Sequence, residues 1–305
     1  MPNLRAIRYF LAVAETGGFS RAAEKLRVAQ PSITTQIQLL EHELGVPLLI
    51  RHRRGAVLTE AGLYFREQSL GILRQIDALG SDTRAHANEP SGSLVVGTTP
   101  SLRTFAVVPV VRRFCGDHPA VRIRMVEATT LVLRDLVSNN QVDAAVVPTI
   151  EVLDGLDTIP LATDPLCLVG PIEASLCMDE PRQIVDLKGL PLLIASQPNS
   201  FRKLLDRLAA RAGIDLNIRI EADALPLSID LVGAGGCYTV ATLGAASEAL
   251  DRGLVSAAPI QGVAITWVVA TARERSRSAA TLRFIEMLQQ QCAEIFAARA
   301  GAHPS

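Results

Sequence analysis

The chain has 305 residues, a formal net charge of −1, 49% hydrophobic residues and only 4% aromatic residues. The five cysteines are odd in number and lack C-x-x-C spacing, which is typical of buried thiols in a reducing cytosol. No charged start leads into a long apolar run, and no stretch approaches about 18 uninterrupted apolar residues. We therefore expect a cytoplasmic protein that is neither exported nor inserted into a membrane.

The near-zero total charge hides a division along the chain. Residues 1–58 hold eight Lys or Arg and four Asp or Glu, a net charge of +4, whereas the remaining residues hold 22 and 27, a net charge of −5. A modest basic excess predicts salt-sensitive binding to DNA. One such module neutralises only a few phosphates, so we expect at least two copies to act together.

Apolar residues recur at helical spacing in three segments of the first 44 residues, which predicts three helices around a miniature core. The stripes are Leu4, Ile7, Leu11 and Ala14; Ala22, Ala23 and Leu26; and Ile33, Ile37, Leu40 and Leu44. Pro31 suits the first helical position, so the third helix is predicted to start at about Gln30. Its outward face carries hydroxyl and amide groups without acidic charge, which suit base edges and phosphates.

A basic turn, residues 51–55, lies between the short apolar runs 48–50 and 56–58. This pattern predicts a hairpin, here called the wing (residues 48–58), with Gly45 ending the preceding helix. Arginines in such a turn suit phosphates or a narrow minor groove. The alternative is a solvated loop that only aids solubility.

Residues 8–62 contain the elements A-A-x-x-L, V-A-Q-P-S, L-E-x-x-L-G-V-P-L and L-T-E-A-G in this order. The segment resembles the N-terminal domain of LysR-type bacterial transcriptional regulators, and the chain is identified as a member of that family. The resemblance carries DNA contact onto matching positions of this sequence: Gln30, Pro31, Ser32, Thr34, Thr35, Gln36, Arg53 and Arg54. Where many members have Ser-Arg or Ser-Gln, this chain has Thr34 and Thr35, so a charged contact is absent there.

Thr59 is predicted to cap a long helix, because residues 60–89 lack proline and place Leu63, Leu70, Leu73, Ile76 and Leu79 near one stripe. Such a helix would run roughly 40 Å and needs a partner helix, most simply from another subunit. A partly frayed surface helix is the alternative, since the segment contains Gly71 and Gly80. In the family, this segment is a dimerising linker helix.

After a hinge at 88–93, short apolar strands alternate with helices, which implies βαβ units and a mainly parallel sheet. The predicted strands are 94–97, 121–126, 142–147, 166–169, 191–195, 217–221, 238–241 and 264–270. The resemblance implies an all-α winged helix-turn-helix domain (1–58), a linker helix (59–89) and an α/β effector domain (90–305). The effector domain would have two lobes, about 90–162 plus 267–305 and 163–266, resembling type 2 periplasmic binding proteins.

Ligands of open α/β sheets bind beyond the carboxyl ends of strands, where helix N-termini offer free N–H groups. Four hydroxyl-rich loops at such positions suit a small metabolite with a carboxylate or other anionic group. The effector-binding candidates are Thr99, Ser101, Thr129, Thr130, Thr149, Ser196, Ser200 and Arg202. Helix capping alone would explain each hydroxyl, and an exposed arginine in a first helical turn is often only solvated.

We predict no enzyme, no metal site and no cofactor, because the histidines lack paired spacing and no Gly-flanked serine nucleophile or phosphate-binding lysine loop appears. A redox-responsive regulator is an alternative, with Cys167 and Cys177 as the nearest pair. A solute-binding protein or a metabolic enzyme would leave residues 1–58 unexplained. The resemblance implies promoter DNA, a metabolite effector, RNA polymerase and further copies of the chain, as a dimer or a dimer of dimers, as partners.

Overall fold

The computed structural model describes residues 3–52, 55–85, 90–151, 153–273 and 276–302. The chain divides into two compact units, residues 1–80 with 139–141, and residues 81–138 with 142–305. Within the described ranges, no helix is long and apolar enough to cross a membrane.

The first unit contains the three predicted helices, the wing hairpin and the long helix. These elements are α1 (Leu4–Thr16), α2 (Phe19–Leu26), α3 (Gln30–Leu44), β1 (Leu49–His52), β2 (Gly55–Leu58) and α4 (Glu60–Ala85). Phe10 and Val13 of α1 pack with Ala22 of α2 and with Ile33 and Ile37 of α3, all nearly inaccessible to solvent. The stripes predicted for α2 and α3 therefore meet in one small core, as predicted. The stripe predicted for α1 was wrong in part, because Leu4 is exposed and the fully buried residues of this helix are Phe10 and Val13, which the stripe omits.

Local hydrogen bonds fix the connections of this unit. Gly45 ends α3 in the left-handed conformation (φ 72°), as predicted. One oxygen of the Glu41 carboxylate then accepts from the backbone N–H groups of Leu48 (2.8 Å) and Leu49 (3.0 Å), which ties α3 to the wing. The Thr59 hydroxyl accepts from the N–H of Gly62 (2.9 Å), so Thr59 caps α4. α4 is described to Ala85, and the predicted last residues of this helix, 86–89, lie outside the described residues.

The second unit is a mixed α/β structure. Its strands are β3 (Gly92–Thr98), β4 (Val121–Glu127), β5 (Ala144–Pro148), β6 (Leu156–Pro171), β7 (Leu192–Ile194), β8 (Ile218–Glu221), β9 (Thr239–Thr242) and β10 (Val255–Ala272). Its helices are α5 (Val108–Asp117), α6 (Thr130–Ser138), α7 (Ser200–Arg211), α8 (Leu225–Gly233), α9 (Leu243–Asp251) and α10 (Ala279–Ala302). The large sheet has the order β4-β3-β5-β10-β6-β9, and β7 pairs with β8 in a second sheet.

The prediction of a mainly parallel sheet was wrong. β3 pairs in parallel with β4 and β5, but β10 is antiparallel to β5 and β6, and β6 is antiparallel to β9. β6 and β10 are also much longer than the predicted strands 166–169 and 264–270, with 16 and 18 residues. Prolines read as strand boundaries in the sequence, yet the structure keeps Pro165 and Pro259 inside these strands, with a register shift between Pro259 and Ala264.

The two long strands connect the halves of the second unit. The start of β10 pairs with β6 and, at Ile260, forms a single bridge with Arg182, whereas from Trp267 to Ala270 β10 also pairs with β5. The lobe boundaries expected from the sequence, 162/163 and 266/267, fall inside these strands, where Thr163 pairs with Thr266. The two halves share one apolar core, which extends from Phe114 and Phe284 through Trp267 to Leu205. A pair of continuous strands thus holds both sides of the unit together.

Candidate DNA interface and ligand cavity

α2, a short turn and α3 form the helix-turn-helix element. Arg27 ends α2 in the left-handed conformation (φ 54°), and the extended residue Ala29 precedes α3 without a side-chain cap. Pro31 lies in the first turn of α3. Pro31 has no N–H, and the N–H of Ser32 donates to the Ala29 carbonyl oxygen (3.0 Å), so the first turn of α3 closes without a side-chain cap.

The predicted DNA-contact residues of α3 lie outside its buried face. Ile33 and Ile37 are fully buried. Four candidates are exposed, Gln30, Pro31, Ser32 and Thr35, and two are half-buried, Thr34 and Gln36. The exposed set offers one amide and two hydroxyl groups and no charged group.

Two hydrogen bonds orient the glutamine side chains. The Ser20 hydroxyl donates to Oε1 of Gln30 (2.9 Å), and Nδ2 of Asn3 donates to Oε1 of Gln36 (3.2 Å). In each case the amide oxygen is engaged within the unit, and the NH₂ group keeps its hydrogen atoms for another acceptor. Such an arrangement favours acceptor-rich base edges or phosphates over a bidentate contact with adenine, which needs both amide atoms.

The wing is a short antiparallel hairpin, in which Leu49 pairs with Leu58 and His52 with Gly55. The predicted contact residues Arg53 and Arg54 lie outside the described residues. Arg51, which the sequence reasoning placed in the basic turn but did not select, has its guanidinium 4.2 Å from the centre of the Phe19 ring. This cation–π contact fixes Arg51 beside the first residue of α2.

A cavity of about 290 Å³ lies in the second unit, where several strands end. β3, β4, β7 and β9 each end at or next to residues of its wall. Six of the eight effector-binding candidates line this one cavity: Thr99, Ser101, Thr129, Thr130, Ser200 and Arg202. Loops that are up to about a hundred residues apart in the sequence thus converge, as the rule for open α/β sheets predicts.

Thr99 is a candidate whose hydroxyl is buried without a hydrogen-bond partner among the described residues. Its side chain is 4% exposed, and Oγ1 is buried with no hydrogen bond to any described residue. The neighbouring Thr98 is equally buried, but its hydroxyl donates to the carbonyl oxygen of Thr99 (3.0 Å). A buried hydroxyl without a partner is costly, so Thr99 marks a point in the wall where a bound polar group would be stabilised.

Arg202 lines the cavity, but its guanidinium is already bound by protein groups. Nε donates to both oxygens of Asp206 (3.0 and 3.1 Å), and Nη1 donates to Glu221 (2.6 Å) and to the Ala195 carbonyl (3.1 Å). The hydrogen bond to Glu221 is the main reason why the pKa of Arg202 lies above its ordinary value. Two carboxylates therefore compensate the positive charge of Arg202. The sequence-based expectation of an anionic ligand rested partly on that charge.

Two other candidates do not line this cavity. The Ser196 hydroxyl and N–H both donate to Oδ1 of Asp223 (2.6 and 3.0 Å), which lowers the pKa of that carboxyl. Ser196 thus positions Asp223, which does line the cavity. Thr149 binds the carbonyl oxygen of Thr266 through its N–H (2.9 Å) and hydroxyl (3.2 Å) and lies in a different groove.

The sequence reasoning missed several polar residues of the wall. They are Glu127, Asp223, Ser228, Thr239 and Thr242. Thr242 could have been found, because it follows a predicted strand and caps α9 through a hydrogen bond from the Ala245 N–H (3.4 Å). The same strand-end criterion applied after 217–221 would have reached Asp223. Ser228 carries no such signal, because it lies within α8.

The cysteine arrangement does not support the redox alternative. Cys167 is fully buried in β6, and burial, with a smaller contribution from the Asp164 carboxylate, raises the pKa of its thiol to about 12. The thiolate is the reactive form, so Cys167 is inert near neutral pH. Among the described residues, no group of three His, Cys, Asp or Glu side chains is placed to hold a metal ion.

Comparison with known proteins gives two family profiles that together span most of the chain. The profile for the bacterial regulatory helix-turn-helix protein of the lysR family matches residues 4–63. The profile for the LysR substrate binding domain matches residues 87–293.

Individual relatives agree with these profiles. The chain is 33% identical over 276 residues to the HTH-type transcriptional regulator BbuR of Bordetella bronchiseptica, covering 89% of this chain and 84% of BbuR. It is 31% identical over 292 residues to a probable RuBisCO transcriptional regulator of Trichormus variabilis, covering 91% and 85%. The fold is similar to that of full-length CbnR in complex with its target DNA (TM-score 0.69, 24% identity), covering 95% of this chain and 99% of CbnR.

These matches cover both units and come from transcriptional regulators rather than enzymes. The chain is a DNA-binding transcriptional regulator with an effector-binding domain, and it belongs to the LysR family.

Proposed function

We propose that α3 and the wing bind promoter DNA and that the 290 Å³ cavity binds the small-molecule effector that modulates this binding. The observation that carries the proposal is the convergence of six predicted polar residues on one cavity wall. In this proposal, residues 1–58 bind DNA, residues 59–89 link and dimerise, and residues 90–305 form the two effector lobes.

The DNA contacts are assigned to the exposed side of α3 and to the basic turn of the wing. Ser32 and Thr35 bind base edges or phosphates through their hydroxyls, and Gln30 and Gln36 donate through their NH₂ groups. Pro31 and Thr34 make van der Waals contacts with the sugar-phosphate backbone or with thymine methyl groups. Arg53 and Arg54 neutralise phosphates or enter the minor groove.

The effector is a small metabolite with one carboxylate and at least one hydrogen-bond donor. The hydroxyl groups of the wall, including that of Thr99, and the N–H groups at the start of α6 stabilise the carboxylate. Arg202 does not serve this purpose, since its charge is compensated by Asp206 and Glu221. The Asp223 carboxylate in the same wall favours a donor group on the ligand and opposes a second negative charge, whereas Glu127 is already paired with Arg103 (3.4 Å).

The regulator is a homodimer or a dimer of dimers. On α4, Leu63 and Leu70 are 44% and 41% exposed and lie seven residues apart, on one side of the helix. Pairing with the same helix of a second copy would bury this stripe. The assembly acts in the cytoplasm, where it engages two half-sites and RNA polymerase.

Selection from genomic DNA tests the DNA-binding proposal. Fragments retained by the full chain are sequenced, and affinity for an enriched fragment is measured by fluorescence anisotropy across a salt series. Log affinity should fall linearly with log salt concentration, because phosphate contacts release counterions. Thr35→Glu, which places a carboxylate against the DNA, should weaken binding at least about tenfold.

Gln75→Glu is the matched control, because it makes the same charge change at an exposed position of α4 in the same unit. Equal affinities of the two variants would contradict the assignment of α3 as the DNA-contacting helix. The enriched complex is then titrated with single metabolites. An effector response that survives filling of the cavity by Thr129→Phe would contradict the assignment of the cavity.

A further inference from the structure

A second concave site lies on the other side of α7, and it is separate from the effector cavity. It is a groove of about 310 Å³ between α7 and β10, here called the α7–β10 groove. It shares no lining residue with the effector cavity. Side chains of α7 four residues apart face the groove, whereas Arg202 and Leu205 face the cavity.

The floor of the groove is apolar. Ile265 of β10 is buried, and Leu204, Leu208, Val263 and Ile150 are half-buried. A concave apolar surface of this size can remove a small hydrophobic body from water.

The rim of the groove is cationic. Lys203, Arg207 and Arg211 follow one another at four-residue spacing on α7. Lys203 pairs with Glu151 (3.2 Å). Arg207 and Arg211 are exposed and line the groove, and within the described part of the chain neither has a carboxylate partner.

An apolar floor beneath two arginines is suited to an anionic ligand. Two like charges four residues apart on a helix repel each other. Arg211 lies in the last turn of α7, where the helix dipole favours a cation, but the dipole explains neither Arg207 nor the apolar floor beneath both side chains. Guanidinium groups bind carboxylate, sulfonate and phosphate oxygens in a bidentate manner.

We infer that the α7–β10 groove is a second small-molecule site, which binds an amphiphilic anion. The apolar body of the ligand lies against Leu204, Leu208 and Ile265, and its carboxylate, sulfonate or phosphate group is held by Arg207 and Arg211.

Anilinonaphthalene sulfonate, an aromatic anion whose fluorescence rises on apolar burial, is the probe for this site. It is titrated into the full chain and into four variants. Arg207→Gln/Arg211→Gln removes the rim charges, and Ala264→Phe fills the groove at an exposed position of its wall. Both changes should lower the affinity of one class of bound probe molecules at least about tenfold.

Two variants serve as controls. Arg122→Gln/Arg124→Gln removes two exposed arginines from β4 and makes the same charge change, and Thr129→Phe fills the effector cavity instead. Both should retain the class of bound probe that the groove variants lose. Unchanged probe binding in either groove variant would overturn the inference, and so would an equal loss in the β4 control. Circular dichroism verifies that every variant is folded.

Discussion

The free hydroxyl of Thr99 predicts that its removal stabilises the protein, whereas removal of the adjacent hydroxyl destabilises it. Thr99→Val replaces a buried hydroxyl without a partner by a methyl group of similar size. Burying an unsatisfied polar group costs about 1–3 kcal/mol, so the variant should gain roughly 1 kcal/mol or more. Thr98→Val, at an equally buried position, loses a 3.0 Å hydrogen bond and should cost about 1 kcal/mol.

The fluorescence of Trp267 allows the stabilities of Thr99→Val and Thr98→Val to be compared. Trp267 is the single tryptophan of the chain and is fully buried in the second unit, so the change of its fluorescence on unfolding reports on that unit alone. A unit of this size shifts its melting temperature by about 2–4 °C per kcal/mol. The two variants should therefore move the transition in opposite directions, by a total of at least about 4 °C.

At Thr99, the substitution that stabilises the protein should weaken its response to effector. If the hydroxyl is held ready for an effector, the more stable Thr99→Val should respond to effector less strongly than the wild type does. Thr98→Val should keep the effector affinity of the wild type. A loss of stability in Thr99→Val equal to that in Thr98→Val would contradict this prediction, because the Thr99 hydroxyl would then have a stabilising partner.

Three further results are expected. Gly62→Ala should destabilise the first unit by about 1–3 kcal/mol in melts followed by circular dichroism, because a Cβ there overlaps the Leu48 carbonyl oxygen. Gly116→Ala, whose Cβ would meet no atom, should not destabilise the second unit in melts followed by Trp267 fluorescence. Alkylation with iodoacetamide at about pH 8 should modify the exposed Cys115 and Cys177 but not Cys167, whose pKa is raised to about 12. Detection of a Cys167 adduct by mass spectrometry after alkylation of the folded protein would contradict this prediction. Ser20→Ala, which releases Oε1 of Gln30, should lower affinity for an enriched DNA site by about 0.5–1.5 kcal/mol and leave binding to random DNA unchanged, as measured by anisotropy.

The helix-turn-helix unit was predictable because its determinants are local. The apolar spacing of α2 and α3, Pro31, Gly45 and Thr59 each act within a few residues, and the structure uses them as the sequence indicates. The stripe predicted for α1 was wrong in part, because Phe10 and Val13 occupy the core and Leu4 does not. The ends of strands also located the 290 Å³ cavity, because the loops that follow the strands line its wall.

The course of β6 and β10 could not be predicted in this way. The antiparallel pairing of β10 with β5 and β6 joins segments about a hundred residues apart, and internal prolines hide the continuity of the strands. Thr149 was misjudged for the same reason. It follows β5 as Thr99 follows β3, but its N–H and hydroxyl bind Thr266 of β10, a strand whose position beside β5 no local pattern indicated.

Arg202 shows how a charge can be misread when its partners are distant in sequence. Asp206 is four residues away and could be anticipated, but Glu221 lies on β8, and its hydrogen bond to Arg202 depends on the packing of β8 against β7 and α7. With both carboxylates present, the arginine completes the wall of the cavity and does not offer a free charge to a ligand. A positive residue in a ligand cavity is therefore evidence for an anionic ligand only after its protein partners have been counted.

If Arg202 stabilises the cavity wall and does not bind the ligand, its removal should affect stability and leave effector affinity nearly unchanged. Arg202→Met should cost about 1–3 kcal/mol of stability, because a guanidinium that is 12% exposed loses bonds to two carboxylates and a carbonyl. The cost stays below that of a fully buried pair, since Glu221 is 52% exposed and Asp206 is 34% exposed and both can be hydrated. Arg252→Met, which breaks an exposed 3.8 Å pair with Glu248, should cost less than about 0.5 kcal/mol. Effector affinity, measured on protein that remains folded, should change little in Arg202→Met; a large loss of affinity without a loss of stability would show instead that the guanidinium binds the ligand.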